Sequence, residues 1–333
     1  MSKVLSISIA AYNVENYIRQ CLDSFLIPDI LDDIEVLVID DGSSDQTREI
    51  VTIYQQKYPE SIRLVAKENG GHGSTVNRGI EEATGTYFKP VDGDDWVAQE
   101  GFIELVNYLK TSNADLVSTD FYQVEHNTGK IMGIEKKQFS GIEYGKEYDF
   151  SEVCSQVYIN MHCAAFRTEL LKQMPDRLDE HCFYVDAEFI LYPIPYVKRI
   201  AFLEKPVYMY RLGMTTQSMN IKSMQKNCGN HERVYESLLN FYESEAVASA
   251  KPAIRHYIEG GIARILTSQH KIYLSFPKSP AYKKKIMDLD IAAKHAYPSI
   301  YGAVTNPAVK LLRHSGYRLY GLAAWLCQRK YKN

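Results

Sequence analysis

Short apolar runs alternate with stretches of helical period along the first third of the chain. VLSISIA at residues 4–10 is followed by a helical pattern through Ile18, Cys21, Leu22 and Phe25, then by IEVLVID, then by a pattern that predicts a helix over about residues 46–58. IRLVA, a helix over about residues 74–83, TYFKPV, a helix over about residues 101–109 and ADLVST continue the series. Such alternation predicts βαβ units around a parallel sheet. Runs as continuously apolar as IEVLVI belong to a sheet covered by helices on both faces.

Residues 120–160 are less regular, rich in Gly, Tyr and charge, and predict an antiparallel hairpin or insertion over one edge. The pattern returns over about residues 161–214 with HCAAF, a helix around residues 186–191, RIAFL and VYMYR, which reads as the completion of the first domain. From about residue 223 onward it is helical, with segments near 225–242, 252–273, 281–295 and 307–329. The last of these is expected to carry Leu312, Leu319 and Leu326 on one side, with Lys310, Arg313, His314 and Lys332 facing away. The division expected is an α/β domain over residues 1–220 and a helical region over residues 221–333 for acceptor, oligomer or membrane contact.

Composition narrows the choices. With 333 residues and 45% hydrophobic content the chain can bury a sizeable core. A formal charge of -3 lacks the basic footprint of nucleic-acid binders, so no nucleic acid is expected as partner. Six cysteines without a C-x-x-C pair suit reduced thiols rather than disulfides or zinc. The opening apolar run is too short for a signal-peptide core, and no window of about 18 or more apolar residues occurs. A cytoplasmic protein is expected, attached at most peripherally to the inner membrane face through its basic amphipathic end. Packing of that end within the protein or in a homodimer is the competing reading.

In a doubly wound α/β domain ligands bind beyond the carboxyl ends of strands, so polar residues there carry the chemistry. Ala10-Ala11-Tyr12-Asn13 follows the first strand, and Asp40-Asp41-Gly42-Ser43-Ser44 follows the second. Asp40 or Asp41 suits a base imide or ribose hydroxyl, although by itself the cluster reads first as a strand end with a helix cap. A Gly-rich loop runs from Glu68 to Gly79 and includes Asn69, Asn77 and Arg78. It follows the third strand, so it is a poor dinucleotide fingerprint. The fourth cluster is Val91-Asp92-Gly93-Asp94-Asp95-Trp96. Three carboxylates within four residues repel one another unless a cation neutralises them, and oxygen ligands of this kind suit Mg²⁺ or Mn²⁺ shared with a substrate phosphate.

In this order and spacing the clusters resemble the family 2 glycosyltransferases. SISIAAYNVENYIRQCLDSF looks like that family's opening strand and helix, VLVIDDGSSDQT like its nucleoside-binding strand end, and VDGDDW like its D-x-D metal motif. The likeness covers about residues 4–120 strongly and extends weakly to about 218. It implies a GT-A fold, a Rossmann-like mixed sheet flanked by helices, and inverting transfer from a nucleotide-sugar donor, by default a UDP-sugar. The implied acceptor is a hydroxyl of a glycan, a glycolipid or lipid-linked glycan, or a cell-surface polysaccharide.

Carried over residue by residue, the likeness implies nucleotide-sugar contacts from Ala10, Ala11, Tyr12, Asn13, Asp40, Asp41, Asn69, Asn77, Arg78, Asp92, Gly93 and Arg211. It implies a metal site from Asp92, Asp94 and Asp95, with Asp92 and Asp94 the preferred pair. Asp186 in FYVDAEF matches the family's catalytic base, with Glu188 as the alternative. Tyr208, Tyr210, Arg211, Gln217 and Ser218 resemble a segment that closes over the diphosphate; His162 is set outside the direct ligands. The chain departs from the family in having Ala11 where Pro is common and Val76 where Arg is common, which makes Arg78 the substitute phosphate contact. Two other classes remain open at this point: a nucleotidyltransferase, against which the lack of a basic Gly-rich loop after strand one argues, and an inactive sugar-nucleotide-binding relative.

Overall fold

The computed structural model describes residues 3–135, 141–213 and 220–330. Two compact units emerge, residues 1–214 and 215–333. In the first the chain runs through β1 (Leu5–Ala11), α1 (Ile18–Asp23), β2 (Ile34–Asp40), α2 (Thr47–Lys57), β3 (Ile62–Ala66), α3 (His72–Glu82) and β4 (Tyr87–Asp92). It continues through β5 (Trp96–Val97), α4 (Gln99–Leu109), β6 (Leu116–Ser118), β7 (Phe121–Glu125), β8 (Ile131–Glu135), β9 (Glu147–Asp149) and α5 (Phe150–Val153). The unit closes with β10 (Ala164–Arg167), α6 (Thr168–Gln173), α7 (Asp186–Leu191), β11 (Arg199–Phe202) and β12 (Tyr208–Leu212).

The described strands form an eight-stranded sheet in the order β3-β2-β1-β4-β10-β6-β11-β9 and a four-stranded one in the order β5-β12-β7-β8. β3, β2, β1 and β4 are parallel, as the βαβ pattern predicts. β10 then enters antiparallel to both β4 and β6, which makes the sheet mixed. Its pairing with β4 covers only Tyr87 and Phe88. Pro90, which has no N–H for a ladder, therefore lies where that partner has already parted. The hairpin expected within residues 120–160 is β7–β8, and it builds the second sheet.

Burial follows the pattern that made the strands legible. Leu5, Ile7 and Ile9 of β1 and Val36 and Val38 of β2 pack with Ile18, Leu22 and Phe25 near α1 and with Phe102, Leu105 and Leu109 of α4. Phe25 and Phe102 meet edge to face at 5.3 Å, adding an aromatic contact to the area buried. On the other face α3 approaches β1 closely at Gly79: a Cβ there would stand 2.0 Å from the Ser8 hydroxyl, so only glycine fits.

The second unit is helical: α8 (Ile221–Lys226), α9 (Cys228–Tyr242), α10 (Glu245–Ala248), α11 (Pro252–Ser275), α12 (Pro280–Ala296), α13 (Pro298–Gly302), α14 (Pro307–His314) and α15 (Tyr320–Lys330). The last predicted helix is in fact two. Gly316 and Tyr317 take positive φ of 58° and 60°, and the N–H groups of Gly316 and Tyr317 turn back to the carbonyls of Arg313 and Leu312, a Schellman ending. The Leu312–Leu319–Leu326 stripe is thereby broken. Leu312 is buried, whereas Leu326 is 53% exposed.

Nor does Arg313 face away. Its Nε lies 3.1 and 3.0 Å from the two carboxylate oxygens of buried Asp290, and its guanidinium stacks 3.7 Å from the Tyr301 ring centroid. His270 Nε2 lies 3.0 Å from the same carboxylate, and the Tyr317 hydroxyl donates to it at 2.7 Å. Burial alone would raise the Asp290 pKa. The hydrogen bonds from His270 and Arg313 outweigh it and hold the carboxyl at about 2.

The carboxyl titrates lower folded than unfolded, so its contribution is complete above about pH 4 and is lost as pH falls toward 2. Arg313→Leu should strand a buried carboxylate and cost about 3–5 kcal/mol in urea unfolding of the full chain at pH 7. The Asp290→Asn chain should lose the acid-linked part of the stability profile between pH 4 and 2; a profile matching the parent in that window would contradict the assignment.

Candidate active site

Because β1, β2 and β4 are parallel and in register, Ala11 opposite Asp40 and Ala10 opposite Asp92, their carboxyl ends open on one edge of the sheet. The turn after β4 is pulled tightly against β1. Gly93 N–H donates to the Ala10 carbonyl at 2.9 Å, and a Cβ on Gly93 would come within 2.9 Å of that same oxygen. Asp92, Asp94 and Asp95 are therefore crowded at the strand end, with Asp95 buried and the other two half-buried.

The short pairing of β5 with β12 lays Tyr208, Tyr210 and Arg211 over this turn. The Tyr208 hydroxyl donates to Asp95 at 2.8 Å and accepts from Asp92 N–H at 3.1 Å, while Arg211 N–H donates to the other Asp95 oxygen at 2.7 Å. The Arg211 side chain donates to the Asp94 carbonyl at 2.8 Å and to Gln20 at 2.7 Å, with its guanidinium between the Trp96 and Tyr17 rings at 4.6 and 5.0 Å. On the opposite side Asp92 faces His72 Nε2 at 2.9 Å and His162 Nε2 at 3.9 Å.

The three carboxylates titrate apart. Burial works to raise Asp92, but the hydrogen bond and charge of His72 hold it below the usual carboxylate range. Burial, then the charge of Asp92, pushes Asp94 up to about 6. Burial and the charges of Asp94 and Asp92 push Asp95 well up. His72 shows the converse: burial would depress it, but Asp92, Asp186 and Asp94 together push it up to about 9. So much negative charge at one strand end fits a divalent cation.

Ligand atoms of Asp92, Asp95 and His162 lie within 4.8 Å of one another, the set among the described residues suited to hold such an ion. Asp94 lies outside that set, and His162 joins it. His162 sits in the tight turn Met161–Cys163 that enters β10; because β10 runs antiparallel to β4, its start falls at the same edge where β4 ends. HCAAF was legible as a strand, but its direction was not. His72, inside the Gly-rich motif yet not singled out, is the second residue missed. Buried Lys89 fixes the turn from below, donating to the carbonyls of His162 at 2.7 Å and Ala164 at 3.4 Å. Burial lowers its pKa to about 8.

The remaining expected residues take other places. Asp40 is engaged by Arg48 at 2.7 Å, and Asp41 by the N–H groups of Gly70 and Gly71 at 2.9 and 2.8 Å and by Lys67 at 2.7 Å. Through these bonds both carboxylates shape the strand end. The Asn69 amide donates to the Asp41 carbonyl at 3.0 Å. Ala10 and Ala11 contribute carbonyls to the turn after β4 and to Asp41 N–H. Asn13 accepts from Ser44 N–H at 2.9 Å, and Tyr12 stands 53% exposed beside it. Arg78 pairs with Glu82 and Glu81 on the exposed side of α3, so the structure does not bring it to the acidic turn. Gln217 and Ser218 lie outside the described residues.

Asp186 opens α7 as an exposed carboxylate, and its charge reaches both His72 and His162. Glu188, the alternative base, is fully buried and accepts from Asp179 N–H at 2.8 Å, which makes it a brace for the preceding loop. That loop is sewn to the Gly-rich segment. Asn77 clamps Leu178 through both its N–H and its carbonyl at 3.1 and 2.9 Å, His181 N–H donates to the Gly70 carbonyl, and a Cβ on Gly73 would meet the Asp179 carbonyl at 2.1 Å. The glycines thus seat the loop that carries Asp186.

Parallel strands β3, β2, β1 and β4 ending in an acidic turn, continued by the antiparallel β10 into a mixed sheet flanked by helices, give this unit the GT-A fold. The chain belongs to glycosyl transferase family 2, whose pattern matches residues 6–174. It is a glycosyltransferase, which removes the nucleotidyltransferase reading. It is 28% identical to the uncharacterized glycosyltransferase EpsJ of Bacillus subtilis, over 75% of this chain and 73% of that one. It is 26% identical to the minor teichoic acid biosynthesis protein GgaB of the same organism, over 69% of this chain but only 25% of that much longer protein. The fold is shared with S. aureus TarS 1–349 in complex with UDP-GlcNAc (TM-score 0.65, 20% identity, 98% of this chain and 90% of that one). It is also shared with the mannosyltransferase PcManGT from Pyrobaculum calidifontis in complex with GDP-Man and Mn²⁺ (TM-score 0.52, 15% identity, 100% and 89%).

Gly73→Ala should displace the residue 178–182 loop and lower sugar transfer on the order of 10²-fold while nucleotide affinity holds. Steady-state kinetics beside a nucleotide titration checks this; an unchanged rate would show that the loop seat does not govern catalysis.

Proposed function

We propose that this glycosyltransferase moves a sugar, with inversion at the anomeric carbon, from a UDP-sugar to a hydroxyl of a glycan or lipid-linked glycan in surface-polysaccharide synthesis. The observation that carries the reading is the meeting at one sheet edge of the Asp92–Asp95–His162 donor set with the exposed carboxylate of Asp186. Asp92, Asp95 and His162 would hold Mn²⁺ or Mg²⁺, with Asp94 beside them adding negative charge. Bound there, the ion supplies charge compensation for the departing nucleoside diphosphate. The solved neighbours with UDP-GlcNAc and with GDP-Man and Mn²⁺ support the donor class.

The protein's own residues do the remaining work. The backbone at Ala10–Asn13 and Asp41, with the exposed Tyr12 ring, receives the nucleoside; the Asp41 carboxylate already accepts from Gly70, Gly71 and Lys67, so it holds the pocket's shape instead of reading the base. Arg211 holds the acidic turn through the Asp94 carbonyl, with its guanidinium fixed by Gln20 and by the Trp96 and Tyr17 rings. Asp186 takes the proton of the acceptor hydroxyl as that oxygen attacks.

Two measurements test this reading. Asp186→Asn should keep UDP affinity and lose transfer by about 10²–10⁴-fold, and full transfer by that variant would remove Asp186 from the base role. His162→Ala should raise the Mn²⁺ needed for half-maximal turnover about tenfold or more. An unaltered Mn²⁺ demand would return the ligand set to the aspartates alone.

A further inference from the structure

The second unit exposes apolar surface in one place above others. α15 packs inward through Tyr320 and Ala324, with the Cys327 thiol 3.6 Å from the Lys271 carbonyl and the Gln328 amide donating to the Phe276 carbonyl at 2.7 Å. Its opposite side carries Leu322, Trp325 and Leu326, exposed by 52, 53 and 53%, followed by exposed Arg329 and Lys330. Positions 322, 325, 326 and 329 form one helical stripe, so these side chains make a single face. Leu311 on α14 is 57% exposed as well. Large apolar side chains gathered on one solvent face mark an interaction site.

Charge identifies the occupant. From Ile291 to Asn333 the chain has seven Lys and Arg and no Asp or Glu, whereas residues 1–290 carry 31 basic against 41 acidic side chains. Arg313 is spent on Asp290, but Lys310, Arg318, Arg329 and Lys330 are exposed. The Arg329 guanidinium lies 5.3 Å from the Trp325 ring centroid, which puts a cation and an indole side by side, as at a lipid headgroup boundary. A second copy meeting this face about a two-fold axis would set like charges against each other, so self-association is disfavoured where an anionic surface is attracted. No described helix is long and apolar enough to cross a membrane. Contact would therefore be by a helix lying in the interface, about 16 Å long for 11 residues.

We propose that the Leu322–Trp325–Leu326 face of α15, bordered by Arg329 and Lys330, docks this protein onto an anionic lipid surface. Leu and Trp enter the headgroup boundary while the basic side chains meet lipid phosphates. This proposal stands independently of the site chemistry above.

The full chain floated with vesicles of phosphatidylglycerol and phosphatidylcholine in equal parts, and with phosphatidylcholine alone, tests it. Binding is expected to the anionic vesicles only and to weaken with salt. The double variants Leu322→Glu/Trp325→Glu and Arg329→Glu/Lys330→Glu should each lose on the order of tenfold or more in affinity, with thermal unfolding unchanged. Ile53→Ser, which removes a 54%-exposed isoleucine from α2, should bind as the parent does.

Only Trp96 and Trp325 emit, so a blue shift of tryptophan emission on vesicle addition should vanish in Trp325→Phe while that variant still floats. Failure of the parent to bind anionic vesicles, equal binding to neutral ones, or undiminished binding by both double variants would overturn the proposal. So would a dimer, detected by sedimentation, that Leu322→Glu/Trp325→Glu dissociates, since the face would then belong to a second copy.

Discussion

Mutual repulsion among Asp92, Asp94 and Asp95 is the constraint on which the catalytic unit is arranged. β4 ends in a turn held to β1 so closely that only glycine fits at 93, and no carboxylate can retreat. In water such a cluster would cost little; here burial and mutual repulsion push the carboxyls of Asp94 and Asp95 up, while His72 holds that of Asp92 low. Elements remote in sequence are recruited to relieve it: β12 brings Tyr208 and Arg211, α3 brings His72, and the turn before β10 brings His162. The antiparallel entry of β10, which makes the sheet mixed, is what delivers the last of these.

The Gly-rich segment shows a second use of the same economy. Such loops suggest a phosphate cradle, but here the open N–H groups of Gly70 and Gly71 are closed by the Asp41 carboxylate. What remains is a surface of backbone without side chains, against which residues 178–181 pack. Asn77, expected at the donor, is the clamp. Motif composition is thus explained by loop-on-loop packing, with the exposed Asp186 following at the start of α7.

Most of the fold was legible because a covered parallel sheet writes continuous apolar runs, and IEVLVID or IRLVA admit few other readings. The acidic turn and the start of α7 at Asp186 were legible for a related reason, since polar residues directly after core strands or at helix starts stand out. Three things were hidden. Strand direction was one, and with it His162. Which partner a charged side chain takes was another: Asp40 pairs with Arg48, Asp41 with Lys67 and Arg78 with Glu82, pairings the motifs did not reveal. Helix ends set by a single left-handed pair were the third. His-Ser-Gly-Tyr carries a glycine stop signal, and its neglect merged α14 with α15 and gave the wrong exposed face.

The cations around the acidic turn share a feature that bears on how the site stays open. Arg211 binds the Asp94 main-chain carbonyl and reaches Asp95 only through its own backbone N–H; Lys89 binds the carbonyls of His162 and Ala164. Neither side chain donates to an aspartate oxygen of the cluster in these contacts. A lysine or guanidinium bound directly to Asp92 or Asp95 would neutralise the charge permanently and occupy the lone pairs a divalent ion needs. Arg211 and Lys89 thus place their charge one bond away, while the Asp95 oxygens accept from the Tyr208 hydroxyl and the Arg211 N–H. His72 takes one oxygen of Asp92 and leaves the other directed toward His162. The turn is therefore compensated directly by His72 at one oxygen of Asp92 and indirectly by Arg211 and Lys89, which reach it through main-chain carbonyls.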